Sequence, residues 1–141
     1  RYQMFRRSTN YDKLLATAQN QLELANLWEK KDNVVQDLSY GEQRKLGIAL
    51  SLVLKPKLLL LDEPSTGLDV GEIPTFTNTV RVLTKDTTTI FTAHDLDLVF
   101  SLADRVLALY SRSIIAQGTP KEIQADCKVR EIYLGLEEVH R

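Results

Sequence analysis

The 141-residue sequence has a single cysteine, no long apolar run and no excess of either charge. Cys127 excludes an intramolecular disulfide and has no Cys or His neighbour at metal-ligand spacing, so we interpret it as an incidental thiol that fits a reducing compartment. No apolar run approaches the roughly 18 residues of a membrane-spanning helix. Eighteen Lys and Arg against nineteen Asp and Glu give a net charge of −1, which favours neither nucleic acid nor an anionic membrane surface as a partner.

The composition indicates one globular domain. Hydrophobic residues make up 43% of the chain and charged residues 26%, which supports a buried core at this length. The chain starts with Arg1 and not with methionine, and we therefore expect a trimmed or partial product. Residues 1–10 lack the apolar core of a secretion signal.

Hydrophobic periodicity predicts alternating helices and strands. Apolar residues at three- and four-residue spacing indicate helices, and short apolar or β-branched runs indicate strands. The predicted helices cover residues 10–27, 41–54, 73–83, 96–103, 120–125 and 128–134, and the predicted strands cover residues 58–61, 88–92, 105–110 and 113–117. The order strand, helix, strand in the middle of the chain predicts a parallel, right-handed βαβ unit.

Two strand regions carry more specific expectations. The continuous apolar run Leu58–Leu61, bounded by Pro56 and Asp62, is typical of a strand buried on both faces at the centre of a sheet. The last two strands are spaced closely enough for a hairpin. Because the turn at Ser111 and Arg112 lacks glycine, we expect this hairpin to be distorted.

Polar residues follow two of the strands at the point where each strand ends. Asp62 and Glu63 follow the first strand, and His94 follows the second. Because ligands bind beyond the carboxyl ends of parallel strands, these side chains would face one crevice if the two strands are close. One carboxylate can hold Mg²⁺, the other can orient an attacking water, and the imidazole can donate to a phosphate oxygen.

A helix start offers a third candidate element. Ser39 and Gly41 lie where free backbone N–H groups and the positive end of the helix dipole suit an anion. Glycine at this position would let a phosphate approach the backbone closely. A structural interpretation stays open, because Ser39 with Glu42 also has the spacing of a capping box.

The strand-end residues have structural interpretations as well. Asp62 and Glu63 fit a solvated turn ahead of Pro64. His94, followed by Asp95, fits the approach to a capped helix. The joint occurrence of these residues at one predicted sheet edge favours a functional site over three unrelated local features.

Four segments together resemble the motifs of ATP-binding-cassette ATPases. Leu38–Arg44 resembles the signature motif, and Leu58–Glu63 resembles the Walker B strand with its catalytic glutamate. Ser65–Asp69 resembles the D-loop, and Thr92–Asp95 resembles the H-loop. The four occur in the order of the family. Tyr40 and Glu42 replace the commoner glycines of the signature, and this variant is similar to that of ATPases of branched-chain amino-acid importers. Residues 129–135 resemble the tail of that group.

The resemblance implies a role for each matching residue. Asp62 would help to hold Mg²⁺, Glu63 would polarise the attacking water and His94 would contact the γ-phosphate of ATP. Ser39, Gly41 and Gln43 belong to the signature element, which reaches ATP held by the opposite subunit of a dimer, and Asp69 would lie at that dimer interface.

The resemblance also implies a fold and a cellular setting. The fold class is α/β, a parallel sheet like that of P-loop NTPases with flanking helices. The fold would be incomplete, because the sequence contains no N-terminal strands, no Walker A loop G-x-x-x-x-G-K-[ST] and no Q-loop. Residues 1–37 would form part of a helical subdomain, residues 38–119 the C-terminal part of the ATPase core and residues 120–141 a C-terminal helical tail.

The implied function is that of the ATP-binding and ATP-hydrolysing subunit of an importer of branched-chain amino acids or similar small polar solutes, which would energise transport by ATP-driven closure of a dimer. The cofactors would be ATP and Mg²⁺. The partners would be a second nucleotide-binding subunit, identical or different, and membrane-spanning permease subunits, with no nucleic acid. The protein would be cytoplasmic and peripheral on the inner face of the plasma membrane, and without Walker A the chain alone would be inactive.

Two alternatives remain at this point. The first is a non-catalytic, truncated module that self-associates through the edge and apolar surface of an incomplete sheet. The second is a phosphohydrolase with Asp62 as covalent nucleophile. The second is the weaker alternative, because Pro64 occupies the position where the partner acid is expected, and a triad of Ser65, His94 and Asp69 is weaker still without a G-x-S-x-G turn.

Overall fold

The computed structural model describes residues 9–135. These residues belong to two compact units, the first ending at Ala93 and the second starting at His94. The outer parts of the predicted terminal segments, residues 1–8 and 136–141, lie outside the described residues. Both units contain helices and strands, and the predicted α/β fold class is confirmed.

Three helices form the core of the first unit. They are α1 (Thr9–Leu24), α2 (Tyr40–Leu52) and α3 (Ile73–Leu83), and each contacts the other two. The buried apolar residues of α2 and α3 are Ile48, Ala49, Leu52, Phe76, Val80 and Leu83, as expected for helices with one face in the core. Ala25 and Leu27, directly after α1, are buried as well. Two short 3₁₀ turns, Trp28–Lys30 and Val35–Asp37, connect α1 to α2.

The sheet of the first unit is a parallel pair. Strand β1 (Leu58–Asp62) pairs with β2 (Thr88–Thr92) in a register that runs from Leu58 opposite Thr88 to Asp62 opposite Thr92. Helix α3 connects the two strands, as the predicted βαβ unit requires. Both strands therefore end at the same edge, with Asp62 and Thr92 side by side.

The expectation that β1 is buried on both faces at the centre of a sheet is wrong for the described chain. Leu59 is buried, whereas Leu58 and Leu60 are 48% and 68% exposed. Within residues 9–135, β1 is hydrogen-bonded to β2 alone. The physical reason is that the described chain covers only the face that carries Leu59, and the opposite face, with Ile90 of β2, is open.

The second unit combines one hairpin with three short helices. Helix α4 (Leu96–Leu102) is followed by β3 (Val106–Tyr110), β4 (Ser113–Gly118), α5 (Pro120–Ala125) and α6 (Cys127–Leu134). Strands β3 and β4 pair antiparallel. Ala108, Ile123 and Val129 form a small buried cluster, against which Phe100 and Ile115 pack.

The hairpin turn is made without glycine. Ser111 and Arg112 both have positive φ, at 46° and 68°, a combination that matches the right-handed twist of paired strands but is costly for residues with a Cβ. The pairing register shifts between Ala108 and Leu109. The predicted hairpin is therefore present and carries an irregularity, as expected from the turn sequence.

Candidate functional site

The carboxyl ends of β1 and β2 place two carboxylates beside a threonine. The hydroxyl of Thr92 donates a hydrogen bond to Oδ1 of Asp62. The backbone N–H of Glu63 donates both to the Thr92 carbonyl and to Thr92 Oγ1, each at 3.1 Å. Asp62 is exposed and Glu63 is half-buried, so both carboxylates lie at the solvent edge of the sheet.

Glu63 has a constrained backbone and a further contact with the loop after β1. Its φ of 44° lies in the left-handed region, which is uncommon for residues with a Cβ and clusters at functional sites. The Thr66 hydroxyl donates to Glu63 Oε2 at 3.3 Å, and the Thr66 N–H donates to the Glu63 carbonyl at 3.1 Å. The glutamate side chain is thus held from the loop that follows it.

The start of α2 is capped as the alternative interpretation predicted. Ser39 Oγ accepts from the Glu42 N–H at 3.3 Å, and Glu42 Oε2 accepts from the Ser39 N–H at 3.0 Å. Lys30 Nζ lies 2.6 Å from Glu42 Oε1. The Lys30 hydrogen bond, followed by that from the Ser39 N–H, lowers the pKa of Glu42, so the capping group is a carboxylate near neutral pH.

An anion site at the start of α2 is compatible with this cap. The first N–H groups of a helix have no intrahelical acceptor, and those of Tyr40 and Gly41 are not used by the capping box. Lys30 offsets the negative charge of Glu42. Gln43 Nε2 donates to the Leu38 carbonyl at 3.0 Å, which fixes the third predicted residue of this segment close to the helix start.

The loop after β1 packs against this helix start. A Cβ built on Gly41 would lie 3.3 Å from Leu68 Cδ2 and 3.5 Å from Glu72 Oε1. An open cleft of about 250 Å³ lies between the two segments, and its lining includes Ser39, Gly41, Glu42, Lys45, Leu68 and Glu72. Asp69 is exposed at this loop, and its N–H donates to Glu72 Oε2 at 3.3 Å.

The predicted site residues of the first unit are distributed over two separate clefts and the strand ends. Ser39 and Gly41 share a cleft with the loop that carries Asp69, and Asp62 shares a second cleft with Gln43 of α2. His94 is the first residue of the second unit, so its position is described within that unit only. Asp95 caps α4 by accepting from the Leu98 N–H at 3.1 Å, which confirms the capped helix predicted after His94.

Sequence reasoning missed Thr92 and Thr66 as side chains that hold the two carboxylates. The signal for Thr92 was its position at the end of the second strand, in register with Asp62. For Thr66 the signal was a hydroxyl three residues after Glu63, the spacing of a local side-chain contact in a turn. The Thr92 signal identifies a contact only when the strand register is known, and the Thr66 signal only when the turn conformation is known.

The donor set at the strand ends fits Mg²⁺ only when another molecule supplies further ligands. Among residues 9–135 there is no group of three or more His, Cys, Asp or Glu side chains that could hold a metal ion. Mg²⁺ is commonly bound by one or two carboxylates, waters and substrate phosphates. The exposed carboxylate of Asp62 suits such a shared site.

Two family models match parts of the sequence. The model described as ABC transporter matches residues 2–66. The model described as Branched-chain amino acid ATP-binding cassette transporter matches residues 113–139. The first model covers the signature-like helix and β1, and the second covers β4 and most of the C-terminal tail.

Curated relatives and a solved structure show the same likeness. The chain is 35% identical over 133 residues to the high-affinity branched-chain amino acid transport ATP-binding protein LivG of Salmonella typhimurium, covering 93% of this chain and 51% of LivG. It is 33% identical to the corresponding protein BraF of Pseudomonas aeruginosa, with the same coverages. Its fold matches cbiO1 from Clostridium perfringens, part of the ABC transporter complex cbiONQ, with a TM-score of 0.76 and 31% identity over 93% of this chain and 53% of cbiO1. The chain therefore spans about half the length of these relatives.

Proposed function

Since the chain belongs to the ATP-binding-cassette transporter family, we propose that it is the C-terminal part of the ATP-binding and ATP-hydrolysing subunit of an importer. Its cargo is a branched-chain amino acid or a similar small polar solute, a proposal that is supported by the likeness to LivG and BraF. The observation that carries the proposal is the pair Asp62 and Glu63 at the carboxyl end of β1, held beside the end of β2.

The division of the chain follows from this proposal. Residues 1–37 belong to a helical subdomain, residues 38–119 to the ATPase core and residues 120–141 to a helical tail. The helix α1 and the two 3₁₀ turns occupy the described part of the first segment, and α5 and α6 that of the last.

In the proposed reaction, water attacks the γ-phosphorus of ATP, the bond from that phosphorus to the β–γ bridging oxygen breaks, and ADP and inorganic phosphate are released. Asp62 helps to hold Mg²⁺, which, when bound, offsets the negative charge of the phosphates. Glu63 accepts a hydrogen bond from the water and orients it, and the Thr66 contact limits the rotation of its carboxylate. His94 donates to a γ-phosphate oxygen. The protein thus contributes positioning and electrostatic stabilisation.

The start of α2 acts on a nucleotide held by a second subunit. The Gly41 N–H, which the capping box does not use, and the polar side chains of Ser39 and Gln43 lie at the positive end of the α2 dipole, which suits a phosphate. Asp69 lies at the interface with that subunit. ATP-driven closure of the dimer is transmitted to membrane-spanning permease subunits, and the protein works at the cytoplasmic face of the plasma membrane without nucleic acid. None of the helices within residues 9–135 is long and apolar enough to cross a membrane.

Mg²⁺-dependent ATP hydrolysis tests the proposal. The 141-residue chain alone is expected to show no turnover, because it contains no phosphate-binding loop. The same chain joined to the protein segment encoded upstream of Arg1 is expected to hydrolyse ATP, and Glu63→Gln is expected to abolish this turnover. The exposed Glu131 of α6 provides a control, because Glu131→Gln should leave turnover unchanged.

Two outcomes would overturn the proposal. One is Mg²⁺-dependent turnover by the chain alone that disappears with Glu63→Gln. The other is a joined protein that binds no ATP. Uptake of labelled leucine by cells that carry Glu63→Gln in the native gene tests the cargo separately, since a loss of uptake is expected only if the importer carries branched-chain amino acids.

A second candidate function is supported by the open face of the parallel sheet. Leu58, Leu60 and Ile90 lie on this face and are 48%, 68% and 58% exposed. Exposed apolar strands promote association between copies. On this alternative the chain is a non-catalytic module that self-associates, and its oligomeric state is the measurement that tests it.

A further inference from the structure

The hydroxyl of Thr92 makes two directional contacts at the end of the sheet. It donates to Asp62 Oδ1 and accepts from the Glu63 N–H. A threonine hydroxyl has one donor and two acceptor positions, so both hydrogen bonds can form at the same time. One side chain of β2 thereby contacts two consecutive residues of β1 and its following loop.

Strand register explains why this contact is available to position 92. The parallel pairing sets Thr92 opposite Asp62 as the last pair of the ladder, so the hydroxyl lies beside the carboxylate without a long connecting side chain. Thr88, at the other end of β2, lies opposite Leu58. Thr88 is therefore on the same strand and the same face as Thr92, but its neighbour is apolar.

The second contact supports an unfavourable backbone conformation. Glu63 has a φ of 44°, and for a residue with a Cβ this region is disfavoured. Its N–H is shared between the carbonyl and the hydroxyl of Thr92. The hydroxyl thus helps to hold the turn that sets the direction of the Glu63 side chain.

We propose that Thr92 is a positioning residue for Asp62 and Glu63: its hydroxyl fixes the carboxylate of the first and the backbone of the second. The role of these carboxylates in ATP hydrolysis rests on the function proposed above, whereas the positioning itself is a property of this chain. A hydrogen bond to one carboxylate oxygen orients the group and leaves the other oxygen to a ligand, as outer-shell partners of metal ligands do.

Nuclear magnetic resonance of the 141-residue chain tests the positioning directly. Three-bond couplings report the χ1 distribution of Asp62, and amide exchange reports the Glu63 N–H. In the wild type we expect one dominant Asp62 rotamer. Thr92→Val, which keeps the shape and removes the hydroxyl, is expected to average the Asp62 couplings and to accelerate Glu63 amide exchange by about threefold, because the Thr92 carbonyl remains as an acceptor.

Two further variants separate positioning from a general effect on the strand. Thr92→Ser keeps the hydroxyl and is expected to retain the wild-type couplings. Thr88→Val makes the same change at the matched position opposite Leu58 and is expected to alter neither signal. Wild-type values in Thr92→Val, or equal changes in Thr88→Val, would overturn the proposal, and so would a Thr92→Ser variant that behaves like Thr92→Val.

An activity measurement then connects the positioning to the proposed reaction. In the chain joined to its upstream segment, Thr92→Val is expected to lower kcat by about tenfold while the KM for ATP changes little, and Thr92→Ser should restore kcat. Unchanged kcat in Thr92→Val would contradict a role in the reaction. If the wild-type joined chain does not hydrolyse ATP, the proposed function fails, while the couplings of Asp62 still decide whether Thr92 positions it.

Discussion

The Tyr40 ring lies directly against Gly67, so that a Cβ on the glycine would stand 2.9 Å from Tyr40 Cε1. Arg44, one turn further along α2, donates to the Tyr40 hydroxyl and lies 4.9 Å from the centroid of its ring. The first turn of α2 is thus fixed to the loop after β1 by an aromatic contact. This contact keeps the signature-like segment and the D-loop-like segment together.

Replacing Gly67 should show how much this contact depends on the missing Cβ. Gly67 has a φ of 85°, so Gly67→Ala is expected to introduce both backbone strain and a clash with Tyr40, and to lower the free energy of unfolding by about 2 kcal/mol. Urea denaturation measures the change. Gly71→Ala is the control in the same loop, since nothing lies within 4 Å of a Cβ there, and an equal loss in the two variants would contradict the explanation.

Two buried threonines of α3 allow the free-energy cost of a buried hydroxyl without a hydrogen bond to be measured. Thr77 and Thr79 are 5% and 3% exposed. Thr79 Oγ1 donates to the Thr75 carbonyl at 3.0 Å, whereas Thr77 Oγ1 is buried with no hydrogen-bond partner in the described part of the chain. Thr77→Val is therefore expected to raise the free energy of unfolding by about 1 kcal/mol.

Thr79→Val serves as the comparison for this prediction. It removes a hydroxyl that already has a hydrogen-bond partner. Its free energy of unfolding, measured by urea denaturation, should therefore rise clearly less than that of Thr77→Val. A larger gain for Thr79→Val, or a loss for Thr77→Val, would show that packing and not polar satisfaction controls these sites.

Sequence periodicity located the helices and strands to within a few residues but could not determine which faces are covered. The run Leu58–Leu61 has no alternation of polar and apolar residues, so it contains no information on which side is buried. In the structure Leu59 is buried and Leu60 is open, because exposure depends on which other elements pack against the strand. Helix α2 similarly ends two residues before the predicted position, at Leu52, and Lys55 then has a φ of 51°.

The candidate site could likewise be predicted from the sequence only in part. Asp62 and Glu63 could be identified from the sequence because they directly follow an apolar strand. Thr92 could be linked to them only through the pairing register, which the sequence does not state. Tyr40 was recognised as a variation within the signature-like motif, but its contact with Gly67 connects residues that lie on different elements.

The capping carboxylate of Glu42 predicts a pH-dependent contribution to stability. Hydrogen bonds from Lys30 and from the Ser39 N–H lower the pKa of Glu42 below its ordinary value of 4.5. Because the folded-state pKa is the lower one, the stabilisation is fully present above about pH 4.5 and is lost as the pH falls through the folded-state pKa. Glu42→Gln, which preserves the capping box, should cost up to about 1 kcal/mol at pH 7.

Urea denaturation of the wild type and Glu42→Gln at several pH values measures this contribution. The difference between the two proteins should shrink as the pH falls toward about 3. Glu131→Gln on the exposed side of α6 is the control and should show no such trend. A Glu42→Gln difference that stays constant with pH would mean that the charge of Glu42 does not contribute to folding.

The open face of the β1 and β2 pair predicts self-association of the chain. Leu60 and Ile90 are opposite each other in the ladder, and both are more than half exposed, so copies of the chain can bury this apolar surface against one another. We expect the sedimentation coefficient of the wild type to rise with concentration and that of Leu60→Lys to stay at the monomer value, because a charge at this position opposes burial. Leu54→Lys provides the matched control, since Leu54 is 82% exposed but follows α2 and lies outside this face; it should associate as the wild type does. A wild type that sediments as a monomer at all concentrations would contradict the prediction. Equal effects of the two lysine variants would show that the added charge, and not the loss of apolar surface on this face, prevents association.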